Sequence, residues 1–366
     1  MKVNQISLEN FRNYKALDLE FAPGVNLIVG ENAQGKTNLL EAISYLGSGK
    51  SFRAQKNGEL VLFGADYAQI AGSIFSQERN QQLKWVLYPA KARQLYHNGI
   101  KKKTAGEISG VLQTVLFCPE DLMVLKTGSS GRRRLGDQAL CQLRPNYEAA
   151  LSEYNRILEQ KSRILKDRFE NPAFLEVLPE YNTRLCQVGA LLISYRARFY
   201  EGLGKAAAEY HGLFSGGKEE FSLAYQTVST VTDPFAPVPA LTGQLQDHLE
   251  SHYRAELESC QCLTGPHKDD FEVALSGLSV KAFGSQGQVR TAAISLKLAQ
   301  RELMRRESGE MPVLLLDDVL SELDAARQDF VLNQINAGQV FISCCDSERF
   351  TTLGKTVAVH NGAVVE

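Results

Sequence analysis

Gly30-Glu31-Asn32-Ala33-Gln34-Gly35-Lys36-Thr37 spells G-x-x-x-x-G-K-T, the pattern of a phosphate-binding loop. Its flanks fit. Val25-Asn26-Leu27-Ile28-Val29 before it is a short apolar run suited to a buried strand. Asn38-Leu39-Leu40-Glu41-Ala42-Ile43-Ser44-Tyr45-Leu46 after it is apolar at helical spacing. Strand, loop and helix in that order is the context the pattern needs; a chance match in a glycine-rich turn would lack it. Gly30 and Gly35 allow positive φ, so successive backbone N–H groups can turn inward around phosphate oxygens. The positive end of the helix dipole adds to the attraction. Lys36 is expected on the β- and γ-phosphates and the Thr37 hydroxyl on Mg²⁺. Glu31, Asn32, Ala33, Gln34 and Asn38 complete the expected nucleotide-binding stretch.

The chain has 366 residues, room for about two domains of ~150 residues. Apolar residues make up 44%, which supports a packed core and argues against disorder. Net charge is −2, so no global basic field draws the chain to nucleic acid, and any such contact must come from local patches. The cysteine count, seven, is odd, and there is no C-x-x-C pair. That fits reduced thiols better than a disulfide framework or a zinc site. No signal-peptide segment opens the chain, and no apolar run approaches the ~20 residues of a membrane helix. The expectation is a soluble, cytoplasmic protein.

Residues 2–29 alternate as strands, with a turn at Phe11-Arg12-Asn13-Tyr14. The helix after the phosphate loop is expected to end near Gly47-Ser48-Gly49. Arg53 follows closely enough to serve nucleotide or DNA, or to be a solvated surface arginine. Residues 59–117 read as β-rich, with Asn98-Gly99 as a hairpin turn leading to Lys101-Lys102-Lys103. That basic tip suits either phosphate contact or a solvated hairpin end. From Asp121 to about Tyr210 the spacing predicts long helices broken at Asn171-Pro172, able to project as an arm. Arg132-Arg133-Arg134 opens this segment as a second candidate DNA contact. A strand is expected over Glu219–Val228, and a helix over Thr242–Cys260. His267, Asp269 and Asp270 lack the spacing of a metal cluster and read as a loop meeting nucleotide or packing under the site. Two strands, Phe271–Leu275 and Leu278–Phe283, are expected next.

The C-terminal quarter supplies further motifs. Ser285-Gln286-Gly287-Gln288 precedes a helix expected from about Val289 to Arg306, forming a second anion-binding nest. Val313-Leu314-Leu315-Leu316-Asp317-Asp318 is an apolar strand ending in carboxylates, a Walker B pattern. Asp317 is expected on Mg²⁺ and Asp318 on the attacking water as general base. Ser321-Glu322-Leu323-Asp324 follows as a D-loop. Gln339–Ser343 reads as a further strand, with Cys344-Cys345 taken as core residues.

This set of motifs resembles the ATP-binding cassette ATPases. Within them, Leu8-Glu9-Asn10-Phe11-Arg12-Asn13-Tyr14, the Gly30–Ala42 stretch, Cys118-Pro119-Glu120-Asp121-Leu122, Gly265-Pro266-His267-Lys268-Asp269-Asp270, the Ser285 motif and Leu316-Asp317-Asp318 resemble the RecF family, in RecF order along nearly the whole chain. The resemblance implies an α/β P-loop head of SMC-like type, with a mixed sheet, a β-rich subdomain and an inserted helical lobe. The implied parts are residues 1–120 and 263–366 for the two halves of the head and 121–262 for the helical lobe. It implies that the Ser285 motif faces the γ-phosphate held by a second subunit, giving an ATP-dependent homodimer. It also implies double-stranded or gapped DNA as a partner, weak DNA-stimulated hydrolysis, and a role with RecR and RecO upstream of RecA. Lys268 stands where the family often has Arg, Cys344-Cys345 where it usually has Thr, and Asp318 where many relatives have Glu. No Gln-loop glutamine is evident; Gln113 is a poor candidate. A transporter subunit would need a membrane-coupling surface and a short helical subdomain. A structural chromosome-organising head would need a long coiled coil, and a small-molecule kinase would have no use for Ser285.

Overall fold

The structure is a computed structural model, which describes residues 1–170, 172–335, 337–345 and 353–365. In chain order the elements are β1 (Lys2–Phe11), β2 (Tyr14–Glu20), β3 (Val25–Val29), α1 (Lys36–Ser48), β4 (Ala68–Ser76), β5 (Arg79–Leu87), β6 (Gln94–His97), β7 (Ile100–Lys102) and β8 (Thr114–Phe117). Then come α2 (Ser129–Leu143), α3 (Pro145–Asp167), α4 (Leu178–Ser215), β9 (Phe221–Gln226), α5 (Val238–Ser259), β10 (Asp270–Leu275), β11 (Leu278–Ser279) and α6 (Val280–Phe283). The chain closes with α7 (Gln286–Ser308), β12 (Val313–Asp317), α8 (Ala325–Gln334), β13 (Val340–Cys344), β14 (Lys355–His360) and β15 (Ala363–Val365). Contacts divide the chain into two compact units, 1–123 with 290–366, and 124–289. Residues 263–289, grouped in the sequence reading with the C-terminal half of the head, fall in the second unit. The cause is the ladder that β10 makes with β9, six residue pairs from Asp270↔Gln226 to Leu275↔Phe221.

The first unit holds two sheets around one helix. One sheet runs β15-β14-β3-β13-β12-β8, parallel throughout except for β15. The other, β2-β1-β4-β5-β6-β7, is antiparallel throughout: β1 and β2 form one hairpin, β4 to β7 form a run of hairpins, and β4 joins the two by pairing with β1 across an intervening stretch of chain. Asn98 and Gly99, at φ 50° and 78°, make its last turn, as the sequence implied. The α1 helix packs against strands of both sheets and is buried almost all round. That explains why its sequence shows no broad polar face. Gly49, at φ 62°, closes α1, and a Cβ there would lie 2.6 Å from the Trp85 ring. Trp85 is itself 1% exposed, with its indole N–H on the Leu46 carbonyl. Truncating an aromatic so placed costs about 3–5 kcal/mol.

The second unit is built around α4, which runs for 38 residues and packs against α3, α5 and β9. Pro145 opens α3 and Pro179 lies in the first turn of α4, where a missing N–H costs nothing. Of the expected break at Asn171-Pro172, Asn171 lies outside the described residues; the described stretches put α3 before it and α4 after it. A further helix, α2, precedes this pair. Leu278–Phe283 is not one strand: two residues pair with β10, and Val280–Phe283 then coil as α6. The next helix begins at Gln286 rather than Val289, because Ser285 caps it. Among the described residues no helix is long and apolar enough to cross a membrane.

Candidate functional site

The parallel sheet of the first unit brings the C-terminal ends of β3, β13 and β12 side by side, the usual ligand end of such a sheet. The loop after β3 is the stretch with the phosphate-binding pattern. Gly30, Ala33 and Gly35 take φ of 155°, 64° and 124°. A Cβ on Gly30 would meet the Val359 carbonyl oxygen at 2.3 Å, and one on Gly35 would meet the Tyr14 hydroxyl at 2.9 Å. Both glycines are therefore required by contact as well as by φ. Gly35 caps α1 without any side-chain bond, so the helix opens on backbone N–H groups alone. Lys36 is 4% exposed and its ammonium donates to the carbonyls of Gly30 (2.7 Å) and Glu31 (3.0 Å). The loop thus folds around its own cation.

Thr37 and Asp317 converge as the metal reading requires. The Thr37 hydroxyl donates to Asp317 Oδ1 at 2.9 Å. Two oxygens so spaced match one edge of an octahedron with bonds of about 2.1 Å, the geometry Mg²⁺ demands. Burial raises the Asp317 carboxyl above its usual range, partly offset by hydrogen bonds from Ser343 and Thr37. A divalent cation beside it would favour the ionised form. The residues therefore fit Mg²⁺ held by Thr37 and Asp317. Asp318 sits in the left-handed region at φ 50°, with its N–H donated to Ser343 Oγ at 2.8 Å. Such a conformation persists only where neighbours over-determine it. Here Ser343 bonds both carboxylate-bearing residues. Ser321 follows, its hydroxyl on the Asp318 carbonyl at 2.6 Å, and Asp324 caps α8 through the Arg327 N–H at 3.0 Å.

Cys345 is a correction. It is not core: it is exposed, with its sulfur 3.3 Å from Lys36 Nζ and 3.1 Å from Asn32 Oδ1, while Cys344 is buried. Strand alternation turns one of two adjacent thiols outward into the site. Gln113 is excluded from the site, since it precedes β8 at the end of the parallel sheet opposite the phosphate loop. At the near end of β8, Asp121 pairs with the buried Lys297 at 3.0 Å and accepts from the Cys118 N–H.

Several positioning residues escaped the sequence reading. Asn13 donates to the Gln34 carbonyl (2.9 Å) and accepts from Asn38 (2.8 Å), and Tyr14 donates to the Gly35 carbonyl at 3.0 Å. The Asn361 N–H donates to Gln34 Oε1 at 2.6 Å. Arg12 grips the fully buried Glu41 through two bonds of 2.8 and 2.9 Å. The Leu8–Tyr14 and Gly30–Ala42 motifs contain Arg12, Asn13, Tyr14 and Glu41 but gave them no role, because their partners lie elsewhere in the chain. Arg53 is exposed, donates to Asn38 Oδ1 at 3.2 Å, and its charge acts on Asp317.

In the second unit, Ser285 and Gln288 form a reciprocal cap on α7, with Ser285 and Gln286 exposed and Gly287 half-buried. The candidate DNA cations divide. Lys101 and Lys103 are exposed and Lys102 is half-buried along the β7 edge. Arg134 is exposed. Arg132 is a correction: it is 2% exposed, binds Asp270 at 2.6 and 2.8 Å, and donates to the carbonyls of Val124 and Thr127. Arg133 is half-buried on Ser129 Oγ and the Asp269 carbonyl. The side chains of Arg132 and Arg133 hold the fold of their own unit, because α2 lays that face on β10. The possible metal group His267, Asp269 and Asp270 is likewise committed inside the protein. His267 bonds Tyr154 and the Cys262 carbonyl, and Asp269 pairs with Arg196 at 2.8 Å.

Comparison with known proteins agrees with this geometry. Residues 2–364 match the RecF/RecN/SMC N-terminal domain family. The chain is 37% identical over 350 residues to the DNA replication and repair protein RecF of Agathobacter rectalis, covering 96% of this chain and 94% of that one. It is 37% identical to the RecF of Acetivibrio thermocellus over 96% and 95% of the two chains. A solved structure described as the recombination mediator protein RecF-ATPrS in the RecFOR pathway superimposes with a TM-score of 0.92 at 33% identity, covering 99% and 97%. The Smc head domain of Pyrococcus furiosus, at a TM-score of 0.56 and 18% identity over 99% and 94% of the chains, shares the fold. With its phosphate loop, paired carboxylates and capped Ser285 motif in the positions described, the chain belongs to the RecF family of DNA replication and repair proteins, ATPases of the ABC type with an SMC-like head.

Proposed function

We propose that this chain is an ATP-switched DNA clamp of recombinational repair. ATP binds with Mg²⁺ at the loop from Gly30 to Asn38, with Lys36 on the phosphates. Magnesium, when bound, supplies charge to the transferring phosphoryl group. Thr37 and Asp317 hold it, and Asp318 orients the attacking water. The Ser285–Gln288 nest takes the γ-phosphate of a second copy, so ATP joins two chains over double-stranded DNA near gaps. Slow hydrolysis then releases them. Work with RecR and RecO towards loading RecA in the cytoplasm completes the reading.

The observation that carries this reading is a pair of helix starts, each opening on a motif that suits phosphate. One is the Gly35–Thr37 helix start, lined by Lys36 and backed by Asp317. The other is the exposed Ser285 helix start. An ATPase acting alone has no use for the second. Lys101, Lys103 and Arg134 are the local cations available for phosphate contact.

Sedimentation with Mg·ATP, with and without a short duplex, tests it. An ATP-dependent shift from monomer to dimer that strengthens duplex binding is expected. A monomer under all conditions, or a dimer indifferent to ATP, refutes the clamp.

A further inference from the structure

The start of α7 is tied to the rest of its unit by a short chain of hydrogen bonds. Gln288 N–H donates to Ser285 Oγ at 3.2 Å, and Ser285 N–H donates to Gln288 Oε1 at 2.9 Å. This is a capping box with Gln in the third helical position. It works only while the amide oxygen of Gln288 points at Ser285. Turned over, the amide would present NH₂ to an N–H and the cap would open.

Glu219 fixes that orientation. Its Oε1 accepts from Gln288 Nε2 at 2.7 Å. An ionised carboxylate accepts only, so it selects the NH₂ end of the amide and sends the oxygen to Ser285. The Gln288 bond, and after it His211, keep the Glu219 carboxyl below its ordinary range. Its other oxygen lies 2.9 Å from Nε2 of His211. His211 is fully buried near the end of α4, and its Nδ1 has no hydrogen-bond partner among the described residues. Nε2 therefore carries the proton that reaches Glu219. The relay runs from the long helix through Glu219 to Gln288 and Ser285, within one compact unit.

We infer that Glu219 is a positioning residue for the Ser285 nest, holding the Gln288 amide in the one orientation that keeps the nest formed and coupling it to α4 through His211. This rests on the reading that the nest receives the phosphate of a second copy. Glu219 touches no phosphate; it acts through Gln288.

Four variants test it: Glu219→Ala, Gln288→Glu, the exchanged pair Glu219→Gln with Gln288→Glu, and Ser285→Arg. In Gln288→Glu two carboxylates face each other. In the exchanged pair an amide at 219 donates to the carboxylate at 288 and still accepts from His211. Fluorescent-nucleotide titration, sedimentation with Mg·ATP and steady-state ATPase rates are measured on each full-length chain. Glu219→Ala and Gln288→Glu are expected to keep ATP affinity within about twofold and to lose about tenfold or more in kcat and in ATP-dependent dimerisation. The exchanged pair is expected to recover most of both losses. Single variants that dimerise and turn over like the parent overturn the inference, as does an exchanged pair that recovers nothing. That last result decides the matter even if Glu219→Ala fails to fold. If Ser285→Arg also leaves the dimer intact, the shared-site reading falls, and the inference with it. If Ser285→Arg breaks the dimer while Glu219→Ala does not, only the role of Glu219 falls.

Discussion

Arg132 separates a structural arginine from a DNA contact. Replaced by Met, which keeps much of its volume, it strips partners from the Val124 and Thr127 carbonyls, at 3.0 and 2.7 Å, and from the Asp270 carboxylate. The Val124 carbonyl is buried, and such an acceptor left alone costs about 1–3 kcal/mol, whereas Thr127 is exposed and its carbonyl regains water. The Asp270 side chain is one-quarter exposed, so its carboxylate regains water and adds little. The sum is about 1–3 kcal/mol, below the range for a pair whose surviving charge stays buried. At roughly 2–4 °C per kcal/mol for a unit of this size, melting should fall by about 2–12 °C. The linkage has a definite sign. Burial pushes the Asp270 carboxyl up, but Arg132, by hydrogen bond and charge, more than offsets this and leaves it below the usual range. The contribution of the pair is therefore present above an unfolded pKa of about 3.9 and is lost as pH falls through the lower folded value. Thermal melting between pH 3 and pH 7, with a DNA-binding salt titration on the same protein, gives the readout. Melting unchanged within about 2 °C, together with a salt slope reduced by about one, would refute the burial argument and return Arg132 to the DNA surface.

Lys36→Ala is expected to abolish nucleotide binding, because among the described residues no other side chain places an ammonium inside the loop; tight ATP binding in a titration would sink the assignment of that site. Removing the charges of Lys101, Lys103 and Arg134 together should weaken duplex binding and lower the slope of log affinity against log salt by up to about three, with melting unchanged; an unaltered slope would move the contact to another surface. His267 is held neutral by burial, its pKa lowered to about 4. The unfolded chain therefore binds the extra proton first as pH drops below about 6.5, and about 3 kcal/mol should be lost between there and pH 4. In His267→Gln that loss should vanish from denaturant midpoints measured across the same window; an equally steep decline would put the titration elsewhere.

The local grammar of this chain carried most of the first unit. A G-x-x-x-x-G-K-T pattern between an apolar run and an apolar helix needs only neighbouring residues to be recognised, and α1 formed where expected. Asn98-Gly99 specified its own turn through φ, and the run ending at Asp317 gave a buried parallel strand with the carboxylate at its end. What failed depended on partners far along the chain. Arg132, Arg133 and Arg134 look alike as a run, and only helical spacing against β10 decides that the first is buried and the last exposed. Cys344 and Cys345 look alike too, until the end of β13 turns one of them towards Lys36.

By itself, then, the sequence determined the motifs on offer: a phosphate-loop pattern, a carboxylate strand end and a Ser-x-Gly-Gln helix start, each written in a few adjacent residues whose backbone preferences act locally. Only the tertiary structure decided which groups meet. Thr37 reaches Asp317 because β3 and β12 both flank β13 in one sheet. Glu219 reaches Gln288 because β9 pairs with β10 and brings distant segments within hydrogen-bond range. Such meetings are set by strand pairing and by the burial of apolar faces, energies summed over many residues, and no short window of sequence contains them.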